Sequence, residues 1–397
     1  MTELLAPAGD LEKLKIAIIY GADAVFIGGQ EFSLRARASN FTLDDIKEAA
    51  AFCHSHGKKL YVTTNIIPHN ENMADLITYL RGLEEAKVDA IIAASPYIAT
   101  TALVHTKIPV HVSTQQSVVN SYAVDFWAKM GAERVVLGRE LNKDEIRDIT
   151  SKAKVEVEVF IHGGMCASYS GRCTLSNNMT DRDANRGGCA HSCRWNYELL
   201  DGKTKISDDD MAFSMSSKDL QTLAFIPSLI DSKVSSLKIE GRMKSIHYIA
   251  TVVRTYRMLI DEYTEKGFID DMDLYIKEIK KAENRLTSHG FLAGEPEAQQ
   301  QLYNLRNEEP TKEFIGIVVS YDEETKQAVI EQRNHFKPNE ILEIFGPNKR
   351  QFTFEVEEIL DTEQNVLEAA RHPKQHVVIK VPFPVKPYDM LRKVLDA

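Results

Sequence analysis

Long apolar runs are missing from this chain. No stretch of about 18 consecutive apolar residues occurs, so no membrane-spanning helix is expected. Positive charge is not in excess either: 48 Lys and Arg stand against 58 Asp and Glu, a formal net charge of −10. That balance opposes non-specific binding to nucleic acid, and any such contact needs a local basic patch. The opening residues, MTELLAPAGD, lack the basic start and apolar centre of a secretion signal. A cytoplasmic location is therefore the expectation, and disulfides are uncommon there.

Several catalytic signatures are also absent. No His-Glu-x-x-His occurs, which argues against a zincin protease. No Gly-x-Ser-x-Gly occurs, which removes the usual serine-hydrolase elbow. There is no Walker A loop, so nucleotide hydrolysis is not indicated. No Gly-x-Gly-x-x-Gly follows any apolar run, which weakens the case for an open dinucleotide-binding sheet.

Cysteine is scarce, and its placement is informative. Four of five cysteines, Cys166, Cys173, Cys189 and Cys193, fall within 28 residues. Gly163, Gly164, Gly171, Gly187 and Gly188 lie among them, with Arg172, Arg182, Arg186 and Arg194. The fifth, Cys53, lies in an amphipathic stretch and reads as a core thiol. Four thiolates in one loop suggest a metal site, and four readings stay open on spacing alone. Structural zinc usually takes two close pairs, whereas only Cys189 and Cys193 are close here. An iron–sulfur cluster also takes four thiolates, with more variable spacing. A single nucleophilic thiolate would need His162 or His191 beside it and would leave three cysteines unexplained. Structural thiols are the fourth reading.

The first 245 residues repeat one rhythm: a short apolar run, a small or polar end, then an amphipathic stretch. The runs are Glu3–Ala6, Ala24–Gly28, Lys59–Thr63, Ala90–Ala94, Val110–Ser113, Arg134–Leu137, Val155–Ile161 and Ser236–Ile239. Helical stretches between them include Leu11–Tyr20, Leu43–His56, Met73–Ala86 and Ser121–Met130. Alternating strands and helices predict a parallel sheet, and eight such units predict a closed, TIM-type (β/α)8 barrel. The alternative is an open doubly wound sheet. The seventh connection is far longer than the usual ~2–6 residues. It runs from Gly163 to Ser235 and holds a four-cysteine insertion over 163–217, with a seventh helix expected over Ser217–Ser232 and an eighth over Ser245–Gly267. The expected domains are 1–286 for the barrel, 287–312 for a linker, and 313–397 for a small antiparallel β-barrel domain.

Residues that follow the eight runs share one rim of such a barrel, where active sites form. They include Arg35, Arg37, Asn65, Ser113, Thr114, Gln115, Arg139, Glu140, His162, Glu240, Arg242 and Lys244. Any single Ser or Asn there also reads as a turn residue or helix cap. Several arginines converging on one rim are harder to explain that way.

The block Glu158-Val-Phe-Ile-His-Gly-Gly-Met-Cys-Ala-Ser-Tyr-Ser-Gly-Arg-Cys-Thr-Leu-Ser176 closely resembles the signature of the collagenase-like, unassigned-type peptidases, peptidase family U32. The segments Leu4–Asp10, Tyr20–Val25, Ser33–Arg37, His111–Gln115 and Leu237–Lys244 resemble its other motifs. The likeness spans the barrel and extends into the C-terminal domain. Within that family, a barrel followed by a small β domain looks most like the prephenate-dependent hydroxylases of the tRNA wobble uridine, whose product is 5-hydroxyuridine. The resemblance implies a [4Fe–4S] cluster on Cys166, Cys173, Cys189 and Cys193, with zinc as the alternative. It implies prephenate as co-substrate and the tRNA anticodon region as partner, and it leaves room for a homologous partner subunit.

Planar guanidinium groups suit the two carboxylates of prephenate, which makes Arg35, Arg37 and Arg242 the candidates for that role. Lys244, Arg172 and Arg194, with Arg182 and Arg186, are candidates for a phosphate-binding patch. Ser113, Gln115, Asn65, His162 and Glu240 are the catalytic candidates, with no role assigned. Tyr169, Trp195 and Tyr197 could stack on a splayed base. Two other readings remain: a peptidase, which the family name suggests, and a metal-stapled scaffold that binds RNA or a protein.

Overall fold

The structure is a computed structural model that describes residues 2–34, 40–207, 213–282, 285–302, 314–348 and 350–394. Eight parallel strands close into a barrel. They are β1 (Glu3–Pro7), β2 (Ala24–Gly28), β3 (Lys59–Thr64), β4 (Ala90–Ala93), β5 (Val110–Val112), β6 (Arg134–Val136), β7 (Glu156–Gly163) and, after three short strands, β11 (Ser236–Ile239). Each pairs with the next in chain order, and β11 closes the ring against both β7 and β1. The eight runs read from the sequence are these eight strands, with ends that differ by one or two residues.

Helices α1 (Leu11–Ile19), α2 (Leu43–Ser55), α3 (Leu76–Glu85), α4 (Pro96–His105), α5 (Ser121–Lys129) and α6 (Lys143–Lys152) surround the strands. Their starts are written locally. Asp10 caps α1 by accepting from Lys13 N at 2.9 Å. Thr42 and Asp45 form a capping box at α2, and Asn142 and Glu145 form another at α6. Leu60 and Val62 of β3 face these helices, while Tyr61 faces inward beside Leu5, Phe26 and Ile92. This period of two separates the outer helix-packed core from the inner plug of the barrel.

The insertion after β7 contains α7 (Leu175–Thr180), the hairpin strands β8 (Leu200–Asp201) and β9 (Thr204–Lys205), and β10 (Asp219–Gln221). A continuous helix was expected over Ser217–Ser232; the chain instead enters as a strand. β10 pairs antiparallel with the end of β7, Leu220 opposite Gly163 and Gln221 opposite His162. Helix α8 then covers only Ile226–Asp231, with Pro227 in its first turn, where a proline's missing N–H costs nothing. The long helix α9 (Ile246–Lys266) is capped by Ser245 and stops at Gly267. Helix α10 (Met272–Lys280) follows. Thr287–Leu302, which reads as linker, packs on the insertion: β12 (Thr287–Ser288) pairs with β10, and Leu292 joins the barrel core.

The C-terminal part is one antiparallel sheet. Its strands are β13 (Phe314–Asp322), β14 (Gln327–Gln332), β15 (Ile341–Phe345), β16 (Gln351–Glu355), β17 (Ile359–Leu360), β18 (Val366–Leu367), β19 (His376–Lys380) and β20 (Met390–Lys393). It curls around Ile315, Ile330, Phe336, Phe354, Ile359 and Leu391. A buried ionic cluster joins it to the barrel. Arg392 of β20 meets Glu278 of α10 at 2.7 Å and Glu343 of β15 at 2.5 Å. Arg254 of α9 meets Glu278 at 2.9 Å, and the Phe345 ring lies under both guanidinium groups. Tyr20 Oη donates to Tyr388 O at 2.8 Å. No helix among the described residues is long and apolar enough to cross a membrane.

Candidate active site at the barrel mouth

The carboxyl ends of the strands bring a row of polar side chains to one mouth. Arg242, just after β11, is buried across the top of β2 and β3. Its Nη1 donates to Ser33 Oγ at 3.1 Å and Leu34 O at 3.3 Å, and its Nη2 donates to Asn40 Oδ1 at 3.1 Å. Gly28 makes room for it: a Cβ there would lie 2.3 Å from Nη2 and 2.4 Å from Ser33 Oγ. Ser33 Oγ and Thr63 Oγ1 share a hydrogen bond of 2.8 Å. Further round, Asn65 Nδ2 donates to Gln115 Oε1 at 2.7 Å, and Ser113 Oγ donates to the same oxygen at 3.1 Å. Arg242, Asn65, Ser113 and Gln115 thus stand on one rim, as the order of strands implied. Arg35 and Arg37 lie outside the described residues. Thr114 points elsewhere, donating to Leu137 O at 3.0 Å.

The other side of the mouth is charged. A Cβ on Gly164 would lie 2.8 Å from Arg194 Nη2, 3.8 Å from Glu240 Oε2 and 3.9 Å from Asp219 Oδ1. These three groups therefore converge where β7 leaves the barrel. Asp219 is held by Arg285 at 2.6 Å; burial pushes its carboxyl up, and Arg285, Lys244 and Arg194 pull the other way. Lys244 Nζ lies 5.1 Å from the Tyr248 ring centre. Arg139 Nη1 donates to Gly164 O at 2.5 Å, and its guanidinium stacks over Phe160 at 4.3 Å.

His162 is buried below this cluster, between Tyr248 and Tyr256, with Tyr256 Oη 3.4 Å from Nδ1. Burial, with Lys244 nearby, pushes its pKa down to about 3. His162 is a neutral, packed histidine at neutral pH, and not an exposed base.

The cysteine-bearing insertion lies over the mouth. Ser117 Oγ donates to Ser170 O at 3.1 Å. Gly171, at φ +77°, rests on Gln115; a Cβ there would lie 2.7 Å from Gln115 O. Ile67 N donates to Asn185 O at 3.0 Å, and Asn185 Nδ2 donates to Cys173 O at 3.0 Å. Arg186 is spent on docking: it pairs with Glu71 and donates to Asn72 Oδ1 at 3.0 Å. Arg172 is exposed. Tyr169 and Trp195 expose 50% and 43% of their surface, enough to offer a ring face to a base. Tyr197 is tied down instead, its Oη donating to Ser192 O at 2.7 Å.

All four insertion cysteines are free thiols. Cys166 and Cys189 are exposed, while Cys173 and Cys193 are half-buried. Burial pushes the Cys193 thiol up; Arg194 opposes this, and Cys166, Cys189 and Cys173 add to it. Among the described residues, no three His, Cys, Asp or Glu side chains stand close enough to hold a single ion.

Sequence reading missed the charged layer inside the barrel. Glu158 is fully buried and accepts from Lys238 Nζ at 2.6 Å and Arg134 Nη1 at 3.1 Å. Arg134 also meets Glu3 at 2.6 Å, and Tyr61 Oη donates to Glu3 Oε2 at 2.7 Å. The available signal was the inward alternation of β6, β7 and β11, which places Arg134, Glu158 and Lys238 on the inner face. Asp219 and Arg285 were missed as well, because β10 reads as helix.

The chain matches Peptidase family U32 over residues 9–302 and the Peptidase family U32 C-terminal domain over residues 310–392. It is 49% identical to tRNA hydroxylation protein P1 of Bacillus subtilis, across 98% of this chain and 94% of that protein. It is 32% identical to tRNA hydroxylation protein P of Escherichia coli, across 87% of this chain and 86% of that one. It is 31% identical to Collagenase of Porphyromonas gingivalis, across 98% and 97%. With a barrel and a C-terminal sheet that both match over most of their length, the chain belongs to peptidase family U32.

Proposed function

We propose that this protein is a tRNA hydroxylase that converts the wobble uridine to 5-hydroxyuridine, with prephenate as co-substrate and a [4Fe–4S] cluster on Cys166, Cys173, Cys189 and Cys193. The observation that carries the reading is the near full-length, 49% identity to a tRNA hydroxylation protein. The mouth supports it chemically. Exposed Tyr169 and Trp195 lie on the insertion beside Arg172 and Arg194, a combination suited to stacking a base next to its phosphates. Arg242 is held rigidly on the opposite rim, where a guanidinium can orient a carboxylate.

The donor set fits a cluster. Four thiols suit iron or zinc. Four thiolates could ligate one tetrahedral zinc or, one to each iron, a [4Fe–4S] cluster, which would supply redox chemistry or order to the insertion. The chain's own residues bind and orient: Asn65, Ser113 and Gln115 hydrogen-bond, and Arg242 and Lys244 attract anions.

The test is the nucleoside content of tRNA from a strain lacking the gene and any second route to the modification. Loss of wobble 5-hydroxyuridine, restored by the gene and not by its Cys166→Ala form, is expected. Unchanged 5-hydroxyuridine refutes the reading.

Similarity to a collagenase over 98% of the chain favours a peptidase as second reading. That reading requires contaminant-free protein to cleave gelatin, and the cleavage to vanish with a single substitution on the rim.

A further inference from the structure

Gln115 stands at the mouth with only 3% of its surface exposed, and its Nε2 is buried with no hydrogen-bond partner. Its orientation is fixed from a distance. The backbone N–H of Leu34 donates to Asn65 Oδ1 at 3.2 Å. A backbone N–H can only donate, so Asn65 must turn its oxygen toward Leu34 and its NH2 toward Gln115. That NH2 can also only donate, so Gln115 must turn its oxygen toward Asn65, where the contact is 2.7 Å. Ser113 Oγ reinforces the arrangement by donating to the same oxygen at 3.1 Å. Neither amide is free to flip, although flips are ordinarily ambiguous. The amide NH2 of Gln115 is what remains, as a donor without an acceptor. A buried side-chain donor calls for an acceptor, and at the mouth a substrate atom can supply it.

We propose that Gln115 Nε2 reads the O4 carbonyl of the target base and so selects uracil over cytosine. The inference rests on the hydroxylation of tRNA uridine proposed above. Uracil carries an acceptor at its 4-position, and cytosine carries an amino donor in the same place. A fixed donor pairs with the first and opposes the second. Sites built around a specific hydrogen bond discriminate in this way because a mismatched base leaves a buried polar group unpaired. Gly171 of the insertion lies against the backbone oxygen and Cβ of Gln115, which helps to fix this residue in place. Leu34 and Asn65 act as positioning residues, and Gln115 touches the substrate.

The relay makes the preference reversible by design. In Asn65→Asp, one carboxylate oxygen accepts from Leu34 N and the other accepts from Gln115 Nε2. Gln115 then turns over and offers its oxygen to the base. In Gln115→Glu, an ionised carboxylate offers only acceptors. The experiment is fluorescence-polarisation binding of two synthetic anticodon stem-loops that differ only in U or C at the wobble position. It is run on the full chain and both variants, with circular dichroism to check folding and nucleoside mass spectrometry on the same mixtures. Wild type should bind the U form at least about tenfold more tightly, and each variant should lower that ratio about tenfold or invert it. Equal binding of the two stem-loops by wild type, or an unchanged ratio in the folded variants, overturns the inference. If Asn65→Asp does not fold, Gln115→Glu decides alone. Discrimination without 5-hydroxyuridine formation keeps the role of Gln115 and refutes hydroxylation; formation without discrimination does the reverse.

Discussion

Glu158 is the most consequential side chain in the barrel interior, and removing its charge gives a worked prediction. Its carboxylate holds Lys238 Nζ at 2.6 Å and Arg134 Nη1 at 3.1 Å with no exposure to solvent. Burial pushes the Glu158 carboxyl up, but Lys238 and Arg134 outweigh it and hold the carboxyl below its usual value. Burial pushes the Lys238 amine down despite Glu158. In Glu158→Gln, Arg134 keeps Glu3 at 2.6 Å, but Lys238 loses its counter-charge and keeps only a neutral amide oxygen and the faces of Phe26 and Phe160, at 4.6 and 5.3 Å. An uncompensated buried charge costs about 3–5 kcal/mol. The cost has a ceiling, because the amine can shed its proton: going from an ordinary lysine pKa to neutral at pH 7 costs about 5 kcal/mol. The penalty must therefore shrink as pH rises, by up to about 1.4 kcal/mol per unit, since the neutral amine becomes cheaper. Lys238→Met beside Glu158→Leu removes both charges and should recover most of the loss, because apolar replacements of buried ion pairs are often neutral or better. The assay is urea unfolding of Glu158→Leu, Lys238→Met and the double, with Glu158→Gln alongside, at pH 7 and pH 9. Single variants that lose under about 1 kcal/mol, or a double as unstable as the worse single, refute the reasoning.

Acid should destabilise the fold through three buried histidines, His111, His162 and His247, each held below the usual imidazole value chiefly by burial. His162 and His247 are both pushed down to about 3, chiefly by burial, while the unfolded chain protonates them near ~6.5. Unfolded protein thus binds more protons between these values. Stability is full above about pH 6.5 and falls by more than about 1 kcal/mol per unit for each of these two histidines as pH drops toward 3, and His247→Leu should remove its one share of that slope. Gly28→Ala places a Cβ 2.3 Å from the Arg242 guanidinium, so hydroxylation should fall at least about tenfold with the far-ultraviolet spectrum unchanged. Retained activity would mean that Arg242 has no part in the site. Chelation or loss of the metal should leave the barrel folded while opening the segment between Gly163 and Ser217 to limited proteolysis, because metal binding orders the loop that supplies its ligands. Equal resistance with and without metal contradicts this.

The barrel was legible because its strands are short apolar runs buried on both faces, bounded by small residues, and because its helices carry their own caps. Ala24–Gly28 and Ser236–Ile239 were read to the residue for that reason. Asp219–Gln221 was not, since three residues pair with a β7 edge that exists only after folding, and Leu220 has the same period in a helix. Met390–Lys393 was missed because its pairing partners, β13 and β15, lie 45 or more residues away. At the mouth, Arg242, Asn65, Ser113 and Gln115 were found by their place after strands. Their interplay was not, because the Asn65–Gln115 relay joins residues 50 apart through a backbone N–H. Arg186 looked like part of a phosphate patch; its salt bridge to Glu71 crosses 115 positions that no local pattern connects.

The most direct test of the account combines the purified, anaerobically handled protein with unmodified tRNA and prephenate, and reads the wobble nucleoside by mass spectrometry. The account predicts a mass gain of one oxygen atom at the wobble uridine, dependent on prephenate and on protein carrying about four iron and four sulfide per chain, and lost in Cys166→Ala. Unmodified uridine after incubation with iron-loaded protein would contradict it.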